Sequence, residues 1–141
     1  MGTILYATRG GEGSYRTQDA AIALAKERGD ELLFLYVVDI GFLNKTERAV
    51  RPDVVTAEME KMGEFLLAMA QERAQKQGVE ARYVLRHGDL RYELKAAARG
   101  EAVDLVVLGQ PADAESAFVP VDLEAFAAEI EAEMGVETRI I

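Results

Sequence analysis

Val103-Asp104-Leu105-Val106-Val107-Leu108-Gly109 reads as a strand covered on both faces that delivers a glycine to the rim of a sheet. An apolar run without polar alternation suits the interior of a parallel sheet, where helices pack on either side. A glycine at the end of such a strand ordinarily opens a ligand loop, because the missing side chain lets backbone N–H groups approach a phosphate. The residues that follow, Gln110-Pro111-Ala112-Asp113-Ala114-Glu115-Ser116-Ala117-Phe118-Val119-Pro120-Val121-Asp122, are instead apolar and acidic, and no further glycine occurs before Gly135. The strand announces a nucleotide-type scaffold, and the loop behind it lacks the flexible, donor-rich grip.

Outward from this strand the same buried pattern recurs at residues 3–8 and 32–38. Between them the spacing predicts a helix over residues 14–28, with Thr17, Ala21, Leu24 and Arg28 on one stripe and Gly29 as its C-cap. Residues 39–52 form a connection longer than the usual two to six or so, with Ile40, Phe42 and Leu43 beside Lys45, Arg48 and Arg51, so it is a candidate cover for a site or a partner. Residues 53–77 predict a long amphipathic helix whose inner positions step through Met59, Met62, Leu66, Met69 and Arg73 to Gly78. Methionines at that spacing ordinarily fill a core; the alternative is an adaptable binding groove.

Residues 79–86 alternate Val79, Ala81, Tyr83 and Leu85 with charged side chains, as an edge strand does. Gly88-Asp89 then turns the chain, and Asp89 is placed to N-cap a helix through Leu94, Ala97 and Ala98 to Gly100. After the quoted strand and its loop, Leu123, Phe126, Ala127, Ile130 and Met134 mark the inner face of a last helix. Gly135 stops that helix, and residues 136–141 close the chain as a strand. The alternation of five strands with four helices gives, with right-handed crossovers, one three-layer α/β/α domain around an open parallel sheet, a Rossmann-like architecture.

Composition removes several function classes. A chain of 141 residues that is 50% hydrophobic can bury a core of its own. With no cysteine, disulfides, thiolate metal sites and thiol catalysis are excluded, and a reducing cytoplasm is compatible. Sixteen basic against 25 acidic residues give a formal charge of −9, which opposes nucleic acid and anionic lipid. No apolar run approaches the roughly 20 residues of a membrane helix, Met1 leads straight into a strand, and Tyr6 stands where N-myristoylation wants Ser or Thr. A cytoplasmic protein is expected.

In an open α/β sheet, ligands bind beyond the carboxyl ends of strands where the strand order reverses. The candidate binding residues are therefore Ala7 and Arg9 after the first strand, Val37 at the end of the second, and Gly109 and Gln110 after the fourth.

Along essentially its whole length the chain resembles the universal stress protein family. The resemblance is carried by Ile4-Leu5-Tyr6-Ala7-Thr8 followed by residues 10–14, by Leu35-Tyr36-Val37-Val38-Asp39, by Gly88-Asp89 and by residues 102–109. It implies strand order 3-2-1-4-5, a homodimer through the last strand and, in one branch of the family, ATP at the switch point. That branch resembles a pattern of Gly, two residues, Gly, nine residues, then Gly followed by Ser or Thr. Laid on Gly109, its later positions fall on Ala112, Asp122 and Leu123, so one position of four survives. The branch also carries an acidic residue where this chain has Arg9.

Electrostatics agree with those departures. Asp122, near the start of the last helix, is placed to take the backbone N–H groups that would hold phosphate, an N-cap contact of about 0.5–2 kcal/mol. A carboxylate within about 6 Å of a phosphate charge costs on the order of 2–3 kcal/mol at an effective dielectric near 20, and Asp113, Glu115 and Asp122 are all candidates. Pro111 and Pro120 stiffen the loop and remove donors.

Arg9 opposes this trend, since its guanidinium offers a fork to a phosphate or carboxylate; the competing assignment pairs it with Asp39 or the acidic loop. Gly10-Gly11-Glu12-Gly13 lacks the dinucleotide spacing and the Gly-Lys-Ser/Thr ending of a phosphate loop, and reads as a turn with Ser14 as N-cap. His87, the one histidine, has no triad partners, and the acidic helix faces read as solvated surface.

The resulting expectation is a noncatalytic module of stress-related signalling or regulation, homodimeric, with no cofactor and with ATP absent or weakly held. A binding domain for AMP, ATP or another small anion gripped by Arg9 is the first alternative, and a nucleotide hydrolase the second. A phosphotransfer receiver would need acidic residues where Thr8-Arg9 and Arg86-His87 stand. The dimer expectation has its own motive: Val136, Thr138 and Ile140 face one way along a terminal strand with nothing following to cover its edge.

Overall fold

The structure, a computed structural model, describes residues 2–8, 15–38, 52–109 and 123–141. Within them the order is β1 (Thr3–Ala7), α1 (Tyr15–Arg28), β2 (Glu31–Val38), α2 (Pro52–Lys76), β3 (Ala81–His87), α3 (Leu90–Gly100), β4 (Leu105–Leu108), α4 (Leu123–Met134) and β5 (Glu137–Ile140). The five strands form one parallel sheet in the order β3-β2-β1-β4-β5.

Strand alternation sorts the core into two layers. Ile4, Tyr6, Leu32, Phe34, Leu105 and Val107 pack toward α1 and α2. Leu5, Leu33, Leu35, Val106 and Leu108 pack toward α3 and α4. Because both faces are covered, β1, β2 and β4 must be apolar at odd and even positions alike, which is the pattern their sequences carry. Edge strand β3 needs cover on fewer positions, and its Tyr83 stays 42% exposed.

Helix ends follow one device. Asp30, Val79 and Val103 each donate their N–H back to the carbonyls of Ala25, Ala74 and Ala98, the six-to-one bond that closes a helix around a left-handed residue. That residue is Gly29 after α1 (φ 70°) and Gly78 after α2 (φ 81°). After α3 it is Ala102 (φ 51°), and Gly100, the expected terminus, is the last helical residue. Asp89 caps α3 as the sequence implies, accepting the Tyr92 N–H at 2.9 Å.

Two expected helix faces are corrected. On α1 the buried residues are Thr17, Gln18, Ala21, Ile22 and Ala25, while Arg28 is exposed and bound to Asp30. On α2 the buried residues include Gly63, Leu67, Ala70 and Ala74, and Met62 and Met69 stand 59% and 43% exposed beside Phe65 at 63%. The cause is close approach. A β-carbon on Gly63 would lie 2.6 Å from the Tyr36 ring and 2.9 Å from Leu85, so small residues face the sheet and the longer side chains turn away. The same burial pushes the Tyr36 phenol above its ordinary pKa.

Candidate functional site

Strand order reverses between β1 and β4, and this places Ala7, Val37 and Gly109 at neighbouring carboxyl ends. Ala7 and Val37 are half-buried against the α3/α4 layer. Thr8, beyond Ala7, is buried and donates its N–H to the Leu35 carbonyl at 2.8 Å, tying the rim of β1 to β2. Arg9, Gln110, the residue 10–14 turn, the residue 39–51 connection and the acidic loop through Asp122 lie outside the described residues.

Gly109 has a structural partner that its sequence context did not disclose. A β-carbon there would stand 3.0 Å from Thr17 Oγ1 and 3.2 Å from Thr17 Cβ. Thr17 is 3% exposed, and its hydroxyl is hydrogen-bonded to Tyr6 Oη at 2.7 Å, so it has little freedom to retreat. Gly109 does not have the left-handed φ that marks Gly29 or Gly78. It is needed for space where α1 crosses the end of β4.

Other candidates take structural places. His87 ends β3 with Nε2 2.8 Å from Glu60 Oε1. Among the described residues, no group of three or more His, Asp or Glu side chains is gathered as a metal site would require. No described helix is long and apolar enough to cross a membrane.

Beside the strand ends, a groove of about 670 Å³ runs between α1 and α2, starting at Thr8 and Tyr15. Arg73 Nε and Nη2 donate to the two Asp19 oxygens at 2.6 and 2.8 Å, and the guanidinium carbon lies 4.8 Å from the Tyr15 ring centre. Arg73 holds the Asp19 carboxyl below the usual carboxylate range, against a lesser opposing effect of burial. This pair joins residues 54 positions apart, and no local sequence pattern signals it. Arg73 falls on the stripe that the sequence predicts for α2; it lines the groove, and its guanidinium reaches Asp19.

A parallel sheet in the order 3-2-1-4-5, with two helices on each face and its crevice at the ends of β1 and β4, defines a doubly wound α/β protein. Residues 1–118 match the Universal stress protein family. Universal stress protein YxiE of Bacillus subtilis is 30% identical over 115 residues, covering 75% of this chain and 76% of that protein. The chain belongs to the universal stress protein family. Its fold is similar to that of a universal stress protein from Burkholderia pseudomallei, with a TM-score of 0.75, 23% identity and coverage of 99% and 94% of the two chains. It is also similar to the Archaeoglobus fulgidus universal stress protein in complex with dAMP, with a TM-score of 0.62, 14% identity and coverage of 100% and 97%.

Proposed function

We propose that this chain is a noncatalytic universal stress protein module of the cytoplasm, one domain over residues 1–141, that regulates through partners and holds ATP weakly or not at all. The observation that carries this reading is the contact between Gly109 and Thr17. Gly109 is the one glycine retained from the nucleotide pattern, and packing against α1 accounts for it without a phosphate. Of the remaining positions, Ala112 and Asp122 replace glycines, the second with a carboxylate, and Leu123 replaces a hydroxyl side chain. Equilibrium dialysis against labelled ATP is expected to show no saturable binding in the low micromolar range. Saturable binding there would overturn the reading, and steady release of phosphate from ATP or AMP would favour the hydrolase alternative.

The dAMP complex of the Archaeoglobus relative favours one second reading, in which an adenylate or other small anion is held at the strand ends with Arg9 as its fork. A thermal-shift series with AMP, comparing the native chain with Arg9→Ala, separates the two. Stabilisation that disappears with Arg9 supports the second reading, and none in either protein supports the first.

A further inference from the structure

We infer that the outer edge of β3 is a docking site for an extended segment of a partner protein, which joins the sheet as a further strand and sets a basic side chain against Glu64. The inference rests on the reading of the chain as a module that acts through partners, and it supplies that reading with a surface. Its first support is the backbone. Leu32 donates its N–H to the Glu80 carbonyl and Gly88 donates to that of Val38, so the even-numbered residues along this strand face β2. The N–H and carbonyl groups of Ala81, Tyr83, Leu85 and His87 therefore turn outward, where β3 has no strand neighbour. Edges of this kind are ordinarily blunted by shortness, proline, a bulge or a covering segment, because unpaired backbone groups template the pairing of another chain. β3 runs seven residues, about 20 Å, contains no proline and stays in unbroken register with β2 from Ala81 to His87. Among the described residues, cover is confined to its two ends: Gln71 Nε2 donates to the Ala81 carbonyl at 2.9 Å, and His87 Nε2 lies 2.8 Å from Glu60 Oε1. The outward groups of Tyr83 and Leu85 between them are open.

The partner's chemistry is set by the helix that overhangs this edge. Glu60 and Gln71 both touch β3, and Glu64 lies between them on the same stripe of α2. Its level along the strand follows from Gly63, where a β-carbon would stand 2.9 Å from Leu85. Glu64 is exposed and has no ion-pair partner among the described residues, so the middle of the edge carries an uncompensated carboxylate. Of the cations on β3, Arg82 is offset by Glu31 and Glu101 and Arg86 by Glu93, which leaves little to repel a basic strand. By strand alternation Tyr83 shares the α2 side with Leu85, and at 42% exposure it offers an aromatic surface there. Side chains two apart on an added strand also face one way, so the fitting segment carries an apolar residue for Tyr83 and, two positions from it, a lysine or arginine for Glu64. A second copy of this chain fits poorly, because pairing antiparallel would bring its own Glu60 and Glu64 toward this row.

The capped hexapeptide acetyl-Thr-Phe-Thr-Lys-Thr-Val-amide has this pattern, and a second peptide with norleucine in place of lysine keeps the shape without the charge. Titrated into the isotope-labelled full chain, the lysine peptide is expected to move the backbone NMR signals of Tyr83 and Leu85. At about ten times its half-saturating concentration it is expected to slow hydrogen exchange of those two amides about tenfold, as pairing of the edge requires. Glu64→Gln, a change at an exposed helix position that preserves the fold, is expected to weaken the lysine peptide about threefold and to leave the norleucine peptide within about twofold. The proposal is overturned if the Tyr83 and Leu85 signals stay still to about 5 mM lysine peptide, or if Glu64→Gln leaves that peptide's affinity unchanged. Movement of Thr138 and Ile140 in their place would also overturn it, by putting the peptide on β5. No nucleotide enters this experiment, so its failure and a failure of the ATP dialysis are told apart.

Discussion

Thr17 Oγ1 sits 3.0 Å from the point where a β-carbon on Gly109 would stand, and its own hydrogen bond to Tyr6 pins it there. Gly109→Ala is expected to cost about 1–3 kcal/mol by overpacking. Thr17→Ala removes the hydroxyl at 3.0 Å and the methyl at 3.5 Å and leaves only the β-carbon at 3.2 Å, so the double variant is expected to lose less than the sum of the two single losses. Urea denaturation of the four proteins checks this, and strict additivity would show that Gly109 has another role.

Replacing glycine by alanine inside a helix normally stabilises by roughly 0.5–1 kcal/mol. Gly63→Ala is expected to do the opposite, because the added methyl would meet the Tyr36 ring at 2.6 Å. Its urea midpoint is expected to fall, by the equivalent of about 1–3 kcal/mol.

Ala102 is the one described non-glycine residue with left-handed backbone, at a position where two other helices of the same chain use glycine. Ala102→Gly relieves about 1–2 kcal/mol of steric cost and gives back part of it through the freer unfolded chain. A net gain near 0.5–1 kcal/mol and a melting point a few degrees higher are expected by calorimetry.

Asp30 accepts hydrogen bonds from Arg28 Nε and the Gly2 N–H, both at 2.9 Å, and Arg28 is the main cause holding its carboxyl below the usual range. A carboxyl whose folded pKa is depressed contributes stability above its unfolded pKa and loses it as pH falls through the folded value. Asp30→Asn is therefore expected to be less stable than the native chain at neutral pH, with the gap closing below about pH 4. Urea midpoints measured from pH 7 to pH 2.5 or so follow that closure; a gap constant with pH would mean that Asp30 acts through packing alone.

Ile141 donates its N–H to Leu108 on β4 at 2.9 Å, so by strand alternation the N–H groups of Thr138 and Ile140 turn to the free edge of β5. A second copy pairing there would need them. The native chain is expected to sediment as a dimer at tens of micromolar or so, and Thr138→Pro, which deletes an edge donor without touching the β4 ladder, as a monomer. A monomeric native chain would overturn the homodimer that the sequence leads one to expect.

How far the sequence could be read depended on distance along the chain. The buried runs of β1, β2 and β4, the Asp89 cap and the glycines ending α1 and α2 are local signals, and the sheet and its layers follow from them. On α2 the periodicity is only partly legible: Met59 and Leu66 pack against the core as it predicts, while Met62 and Met69 turn out, because a helix lying close to a sheet selects small residues such as Gly63, Ala70 and Ala74. Ala7, Val37 and Gly109 were placed at strand ends by order alone. The Thr17 contact and the Asp19–Arg73 clamp join distant segments, which no motif or periodicity records.

The outward turn of Met62, Phe65 and Met69 on α2 also bears on how molecules of this protein tolerate one another. An apolar stripe on every molecule is an invitation to stick, and the formal charge of −9 is what keeps two such surfaces apart. That repulsion reaches about 8 Å at physiological ionic strength and about 3 Å in 1 M salt. Colloidal stability is thus set by the solvent as much as by the fold, and a concentrated solution that stays clear in dilute buffer becomes self-adhesive as the ions around it accumulate.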